Sequence, residues 1–410
     1  MRSRRFLVVI LAVAATIACV SRPVYGRSQA LIELKSADET YQGKLVAYDN
    51  HSCWLLGRDG RISEVQVESI LKHRTVVPRF HRFSTIEIRD QLRREFGKEF
   101  EVVGTGHYVV CAAKGRAQKF GQLFEEVYRT FYGYFSRRRF QIDEPEFPLV
   151  AIVFPDRARF VEYSRRDKVV ALRGMMGYYL PTSNRIALFE SDREALSADR
   201  RTANNNAISL RLENQFQAGD GGPTSQFWSA GNFGAIGSWR GNGAGIESGL
   251  EGTIVHETTH QVAFNTGLHS RIGENPTWVV EGLATVFEAP GIRDASNSRN
   301  IETRINRSRC LWFKEFAKSR RRPKSLADYV ASDAMFKKQR LDAYSQAWAL
   351  TFFLIETRSS DYSRYLREMT ERDPLKPYPQ EARLADFKRA FGDDLNRLDV
   401  NFLRFLQKLK

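Results

Sequence analysis

The chain has 410 residues, 42% of them hydrophobic and 27% charged, which excludes collagen-like, low-complexity and wholly disordered classes and leaves room for two domains. Lysine and arginine outnumber aspartate and glutamate by 63 to 48, a net charge of +15. Four of these cations (Arg2, Arg4, Arg5 and Arg22) lie in an N-terminal leader with no opposing acid, so the remainder is about +11 and favours anionic surroundings such as an envelope polymer or a lipid surface.

Residues 1–26 read as an export signal. Arg2, Arg4 and Arg5 form its positive start, and Phe6 to Val20 is an apolar run too short, and too closely followed by Arg22, for a comfortable membrane span. Small residues at Ala18 and Gly26 offer two cleavage points. Thr16-Ile17-Ala18-Cys19 also loosely matches a lipoprotein cleavage site, so lipid attachment through Cys19 is the alternative to soluble export. The expected location is periplasmic or secreted, which sets aside a nucleic-acid role despite a pI of 9.7. Cys53, Cys111 and Cys310 are far apart, show no C-x-x-C pattern, and read as buried thiols.

Residues 28–80 form a unit of short strands: Ala30 to Leu34, Lys44 to Tyr48, Ser52 to Leu56 and Ile62 to Val67. Asp49-Asn50 and Arg58-Asp59-Gly60 supply turns. The expectation is a small SH3-like β-barrel, with Trp54 in its core, ahead of an α+β domain over 84–410. Within that domain Tyr108 to Ala112 and Phe147 to Phe154 read as strands. Ala117 to Ser136 carries a helical stripe of Phe120, Leu123, Val127 and Phe131. Asp156 to Arg165 reads as a short helix, and Gly177 to Leu180 and Arg185 to Glu190 as a strand pair.

Residues about 197–249 form a Gly/Asn-rich insertion, with ten of the 28 glycines between Gly219 and Gly249; it holds Trp228 and Trp239. A structureless connection of this length is unusual inside a compact domain. Helices are expected after Gly291, over Ile301 to Lys318, Ala343 to Glu356, Tyr362 to Thr370 and Leu395 to Leu409. The basic runs Arg137 to Arg139 and Arg320 to Arg322 read as solvated helix ends.

The chemistry concentrates in His256-Glu257-Thr258-Thr259-His260. Ser248-Gly249-Leu250-Glu251 has the pattern of a capping box and Gly267 that of a C-terminal stop, so the pentad falls mid-helix. Positions i and i+4 share a face, and two imidazoles there can grip one zinc ion. Glu257 beside them can reach an activated water as general base. A catalytic site needs a third ligand. Asn275-Pro276 reads as the start of a second helix running to about Ala289, with Asn275 as cap. Glu281 is the acid expected on its buried face; Glu274 and Glu288 are the rivals.

His256-Glu257-x-x-His260, twenty intervening residues and then Glu281 within Trp278-x-x-Glu281-Gly282-x-Ala284 resemble the gluzincin zinc metallopeptidases. The closer resemblance is to a peptidase MA-like branch of exported bacterial proteins of an uncharacterised domain family, through His260-Gln261, Asn265-Thr266-Gly267 and Pro276 to Ala284. The likeness spans roughly His107 to Thr370. It implies a zincin-like core with a small twisted sheet, an active-site helix and a helical second half. It also implies one Zn2+ on His256, His260 and Glu281, and a peptide or protein substrate. No histidine follows His269, so the downstream catalytic histidine of thermolysin has no counterpart. Tyr344, near the start of a downstream helix, is the oxyanion donor the resemblance offers; a core tyrosine is its plainer reading. His269 reads as a neighbour of the site or a surface group. Arg185 to Glu190 is the expected substrate-binding edge strand. The alternative function is a non-catalytic, zinc-stabilised envelope scaffold.

Overall fold

The computed structural model describes residues 30–171, 174–190, 248–293 and 300–409. The leader with Cys19, and the insertion up to residue 247, lie outside them. The architecture is α+β. Among the described residues no helix is long and apolar enough to cross a membrane.

The first unit is an antiparallel sheet of β1 (Leu31–Lys35), β2 (Thr40–Tyr48), β3 (Ser52–Leu56), β4 (Ile62–Gln66) and β5 (Lys72–Val77), in the order β4-β3-β2-β1-β5. The two outer strands, β4 and β5, do not pair with each other. Ile32, Leu34, Cys53, Leu55, Val65 and Ile70 make its core, and Gly60 takes the left-handed conformation (φ +84°) that the β3–β4 turn requires. The unit is fixed to the rest of the chain by one main-chain bond and by an arginine side chain that bonds backbone carbonyls on both sides. Ile62 N–H donates to Thr182 O (2.7 Å), and the Arg271 guanidinium donates to Gly60 O (2.6 Å) and Pro181 O (2.7 Å).

A second sheet follows, with α1 (Thr85–Phe96), β6 (Phe100–Gly104), β7 (Tyr108–Ala113), α2 (Ala117–Arg137), β8 (Leu149–Phe154), α3 (Arg157–Arg166), β9 (Gly177–Leu180) and β10 (Arg185–Phe189). The order is β6-β7-β8-β10-β9; β7, β8 and β10 run parallel, and the outer strands are antiparallel to their neighbours. Alternation assigns the faces. Val110, Ala112, Ala151, Val153, Ile186 and Leu188 pack toward α2 and the helical half. Val109, Cys111, Val150, Ile152 and Ala187 pack with Ile88 and Leu92 of α1 and with Phe160 and Tyr163 of α3. The sequence reading missed α1 and β6, although Ser84 and Glu87 complete a reciprocal capping box at the start of α1. The edge-strand assignment is corrected: Arg185–Phe189 is interior, because it pairs with both β8 and β9, and Gly177–Leu180 is the edge.

The helical half comprises α4 (Ser248–Asn265), α5 (Thr277–Phe287), α6 (Pro290–Arg293), α7 (Arg307–Ser319), α8 (Leu326–Ala331), α9 (Ala334–Lys338), α10 (Arg340–Thr357), α11 (Ser359–Thr370), α12 (Gln380–Phe391) and α13 (Leu395–Lys408). α5 and α10 press together at Gly282, where a Cβ would meet Thr351 Oγ1 at 2.1 Å and Ala347 O at 2.7 Å. The three described cysteines are buried and free. The basic runs are not simply solvated. Arg138 pairs with Glu356 (3.2 Å), Arg320 with Asp342 (2.7 Å), and buried Arg321 with Asp399 (2.6 Å).

Candidate metal centre

The active-site helix expected from the sequence is α4. Gly267, with φ +81°, turns the chain just beyond its last residue. His256, Glu257 and His260 are all buried on it. One helical turn separates the two imidazoles, and their rings stand edge to face with centroids 4.7 Å apart. α5 supplies Glu281, 1% exposed. The helix is anchored to the sheet by the residues after His260. Gln261 Nε2 donates to Val150 O (3.1 Å) and Asn184 O (2.8 Å), and the Asn265 and Asn184 side chains bond each other at 2.7 and 2.9 Å.

The donor atoms form a compact triangle. His256 Nε2 lies 3.1 Å from His260 Nε2 and 3.3 Å from Glu281 Oε2, and His260 Nε2 lies 3.7 Å from the same oxygen. Tetrahedral coordination at about 2.0–2.1 Å sets neighbouring donors roughly 3.3–3.4 Å apart. The triangle therefore fits one divalent cation. Two imidazole nitrogens facing each other at 3.1 Å require a proton or a cation between them, and Glu281 Oε2 is buried without a hydrogen-bond partner. Among the described residues, this is the group of histidine, cysteine and acidic side chains whose ligand atoms converge in this way.

Glu288, a rival ligand in the sequence reading, has a different place. Its Oε1 accepts from His256 Nδ1 (2.9 Å), on the far side of the ring from the triangle, which turns His256 Nε2 toward the other donors. Glu288 is itself held by Asn306 Nδ2 (2.8 Å) and Arg309 (3.6 Å). Glu274 is outside the triangle, half-exposed and paired with Arg383 (3.3 Å). Asn275 does not cap α5. Its side chain bonds Ser270 and Gly273, and Asp333 Oδ1 accepts the Thr277 N–H (2.9 Å) instead.

Glu257 points to the edge strand. Its Oε2 accepts from Tyr179 N–H (2.8 Å), and its Oε1 is buried with no partner. Burial pushes the Glu257 carboxyl up to about 8, against the pull of His256. Burial disfavours charge on His256, but the adjacent Glu281 and Glu288 carboxylates outweigh it and raise the ring to about 10. Burial holds His260 down to about 3. Burial opposes charge on Glu281 and Glu288, yet both carboxyls are lowered, Glu281 by His260 and His256, and Glu288 by Arg309, His256 and Asn306. Three carboxyl groups crowd two buried rings, and added positive charge, a proton or a metal ion, relieves such crowding.

Tyr344 of α10 is buried, with its ring against Phe336 (5.5 Å) and the Arg309 and Arg340 guanidinium carbons 5.5 and 5.6 Å from its centre. Burial and the charge of Glu281 raise its phenol, while Arg340 bonds to it and pulls the other way. His269 is also buried. Its Nδ1–H donates to Leu268 O (2.7 Å), its Nε2 has no partner, and burial lowers it to about 4. The sequence reading missed Asn306, Arg309 and Arg340. They lie 25 or more residues beyond Glu281, and only the packing of α7 and α10 brings them to the site.

No curated protein matches the chain. Residues 251–376 match a family described as a protein of unknown function, DUF1570, a stretch that contains the His256, His260 and Glu281 triangle, Glu257, Glu288, Arg309, Arg340 and Tyr344 but not the first sheet or Tyr179.

Proposed function

We propose that the chain is an exported zinc-dependent peptidase built on a zincin-like core, preceded by an SH3-like unit. The observation that carries this reading is the triangle of His256, His260 and Glu281, with edges of 3.1, 3.3 and 3.7 Å, beside a buried carboxylate that has one unpartnered oxygen. The zinc ion would be held by His256 Nε2, His260 Nε2 and Glu281. When bound, it supplies Lewis-acid polarisation of a water and of the scissile carbonyl.

The chain's own residues supply the rest. Glu257, fixed through Oε2 by the Tyr179 N–H, takes the proton of the attacking water on its free Oε1 and passes it to the leaving amine. Glu288 holds His256 in the tautomer that presents Nε2 to the triangle. Tyr344, a protonated phenol near Glu281 that is bonded to Arg340, offers a hydrogen-bond donor to the developing oxyanion. The edge strand β9 lies beside Glu257 and can align an extended substrate by backbone bonds.

The test is hydrolysis of a quenched fluorescent peptide library. The wild type should cleave it and phenanthroline should stop it, while Glu257→Gln keeps the metal and loses the activity. A Glu257→Gln protein with undiminished cleavage contradicts the reading. The lack of any histidine after His269 favours a second reading, the metal-stabilised envelope scaffold. That reading predicts bound metal and no turnover from the wild type.

A further inference from the structure

β5 lies at one edge of the first sheet, and among the described residues no strand pairs with its outer side. Leu71 to Arg79 are all exposed, an unbroken run of nine residues. In an antiparallel edge strand, alternate residues turn both N–H and C=O away from the sheet, so half a ladder stands unused.

The side chains on this edge have a definite character. From Leu71 to Phe83 there are four lysines and arginines, two histidines and no acid. Arg74 is held by Glu33 of β1 at 2.7 and 3.1 Å. Lys72, Arg79 and Arg82 have no carboxylate partner among the described residues, unlike Arg138, Arg320 and Arg321. Beside these cations Leu71, Val76 and Val77 are 60%, 37% and 40% exposed. Charge alone suffices to protect an edge from self-association. Protection gives no reason for exposed Leu71, Val76 and Val77. A polyanion without apolar groups would use the cations but neither these side chains nor the backbone.

We propose that β5 is a docking edge for an extended acidic segment of another protein. The segment adds as a sixth strand, sets its carboxylates against Lys72, Arg79 and Arg82, and packs apolar side chains on Leu71, Val76 and Val77. The sheet is bonded to the β9–β10 turn through Ile62 and Arg271, so a docked partner is held at a fixed position relative to α4. The inference does not depend on metal or on peptidase activity.

The experiment titrates the full chain with a fluorescein-labelled peptide of repeating Glu-Val-Thr, and with the same peptide N-methylated at alternate residues. The unmodified peptide should bind. N-methylation should weaken it roughly tenfold or more by removing the ladder donors, and chelator should change nothing. The triple variant Lys72→Glu, Arg79→Glu, Arg82→Glu should weaken binding by roughly tenfold or more with an unchanged thermal midpoint, and added salt should weaken the wild type. Equal affinity for the N-methylated peptide means a generic anion-attracting surface and overturns the proposal. So does absence of binding, or a self-associated chain that the peptide does not dissociate, which would place a second copy on the edge.

Discussion

The α4–α5 site and the β5 edge handle charge in opposite ways. At the site, Glu257, Glu281 and Glu288 converge on the buried His256 and His260, with His256 oriented by Glu288 and Glu257 by the Tyr179 N–H, and two carboxylate oxygens are left without a hydrogen-bond partner. On β5 and the segment that follows it, Lys72, Arg79 and Arg82 stand exposed with no described acid opposite them. A buried unpartnered group is costly, so its persistence itself points to a ligand. An exposed cation is comfortable in water. There the argument needs the pattern of an open edge, apolar neighbours and missing acids together.

Substitutions sharpen the contrast. The largest expected effect is at Glu257: replacement by glutamine should lower peptide hydrolysis by about 10²- to 10⁴-fold, read as kcat, with metal content unchanged. Next is Glu288→Gln, which takes the charge from behind His256 and should weaken metal affinity about 10- to 100-fold in a chelator competition. Gly282→Ala touches no donor, yet its Cβ would run into Thr351 and Ala347 O; stability should fall by about 1–3 kcal/mol or more by denaturant melt, with metal binding lost as α5 is displaced. The smallest effect is on β5 and the segment after it, where charge reversal at Lys72, Arg79 and Arg82 should each move stability by no more than about 0.5 kcal/mol. A large loss there would mean that these cations are structural and would erase the contrast.

Local signals made part of this molecule legible. The i, i+4 spacing of His256 and His260, a helix bounded by Ser248 and Gly267, and an acid on a second apolar helix suffice to bring three ligand atoms together. The strands β1 to β4 followed from alternation and turn residues. What failed was set by distant partners. Asn275 has the composition of a helix cap, but the Ser270–Gly273 loop captures its side chain, and Asp333, just ahead of α9, takes its role. Glu288 stayed a rival to Glu281 because it is acidic and close in sequence; two turns along from Glu281, it reaches the other nitrogen of His256. Arg185–Phe189 looked like an edge because strand order cannot be read from one hairpin. Arg309 and Arg340 carry no local signal, since α7 and α10 deliver them only after folding.

The most direct measurement is metal stoichiometry by elemental analysis of the purified chain, wild type against His256→Ala and Glu281→Ala. The account predicts close to one zinc per wild-type chain and almost none in either variant, with all three folded by circular dichroism. A wild-type chain that stays metal-free in zinc-replete buffer, or variants that retain the full complement, would contradict it.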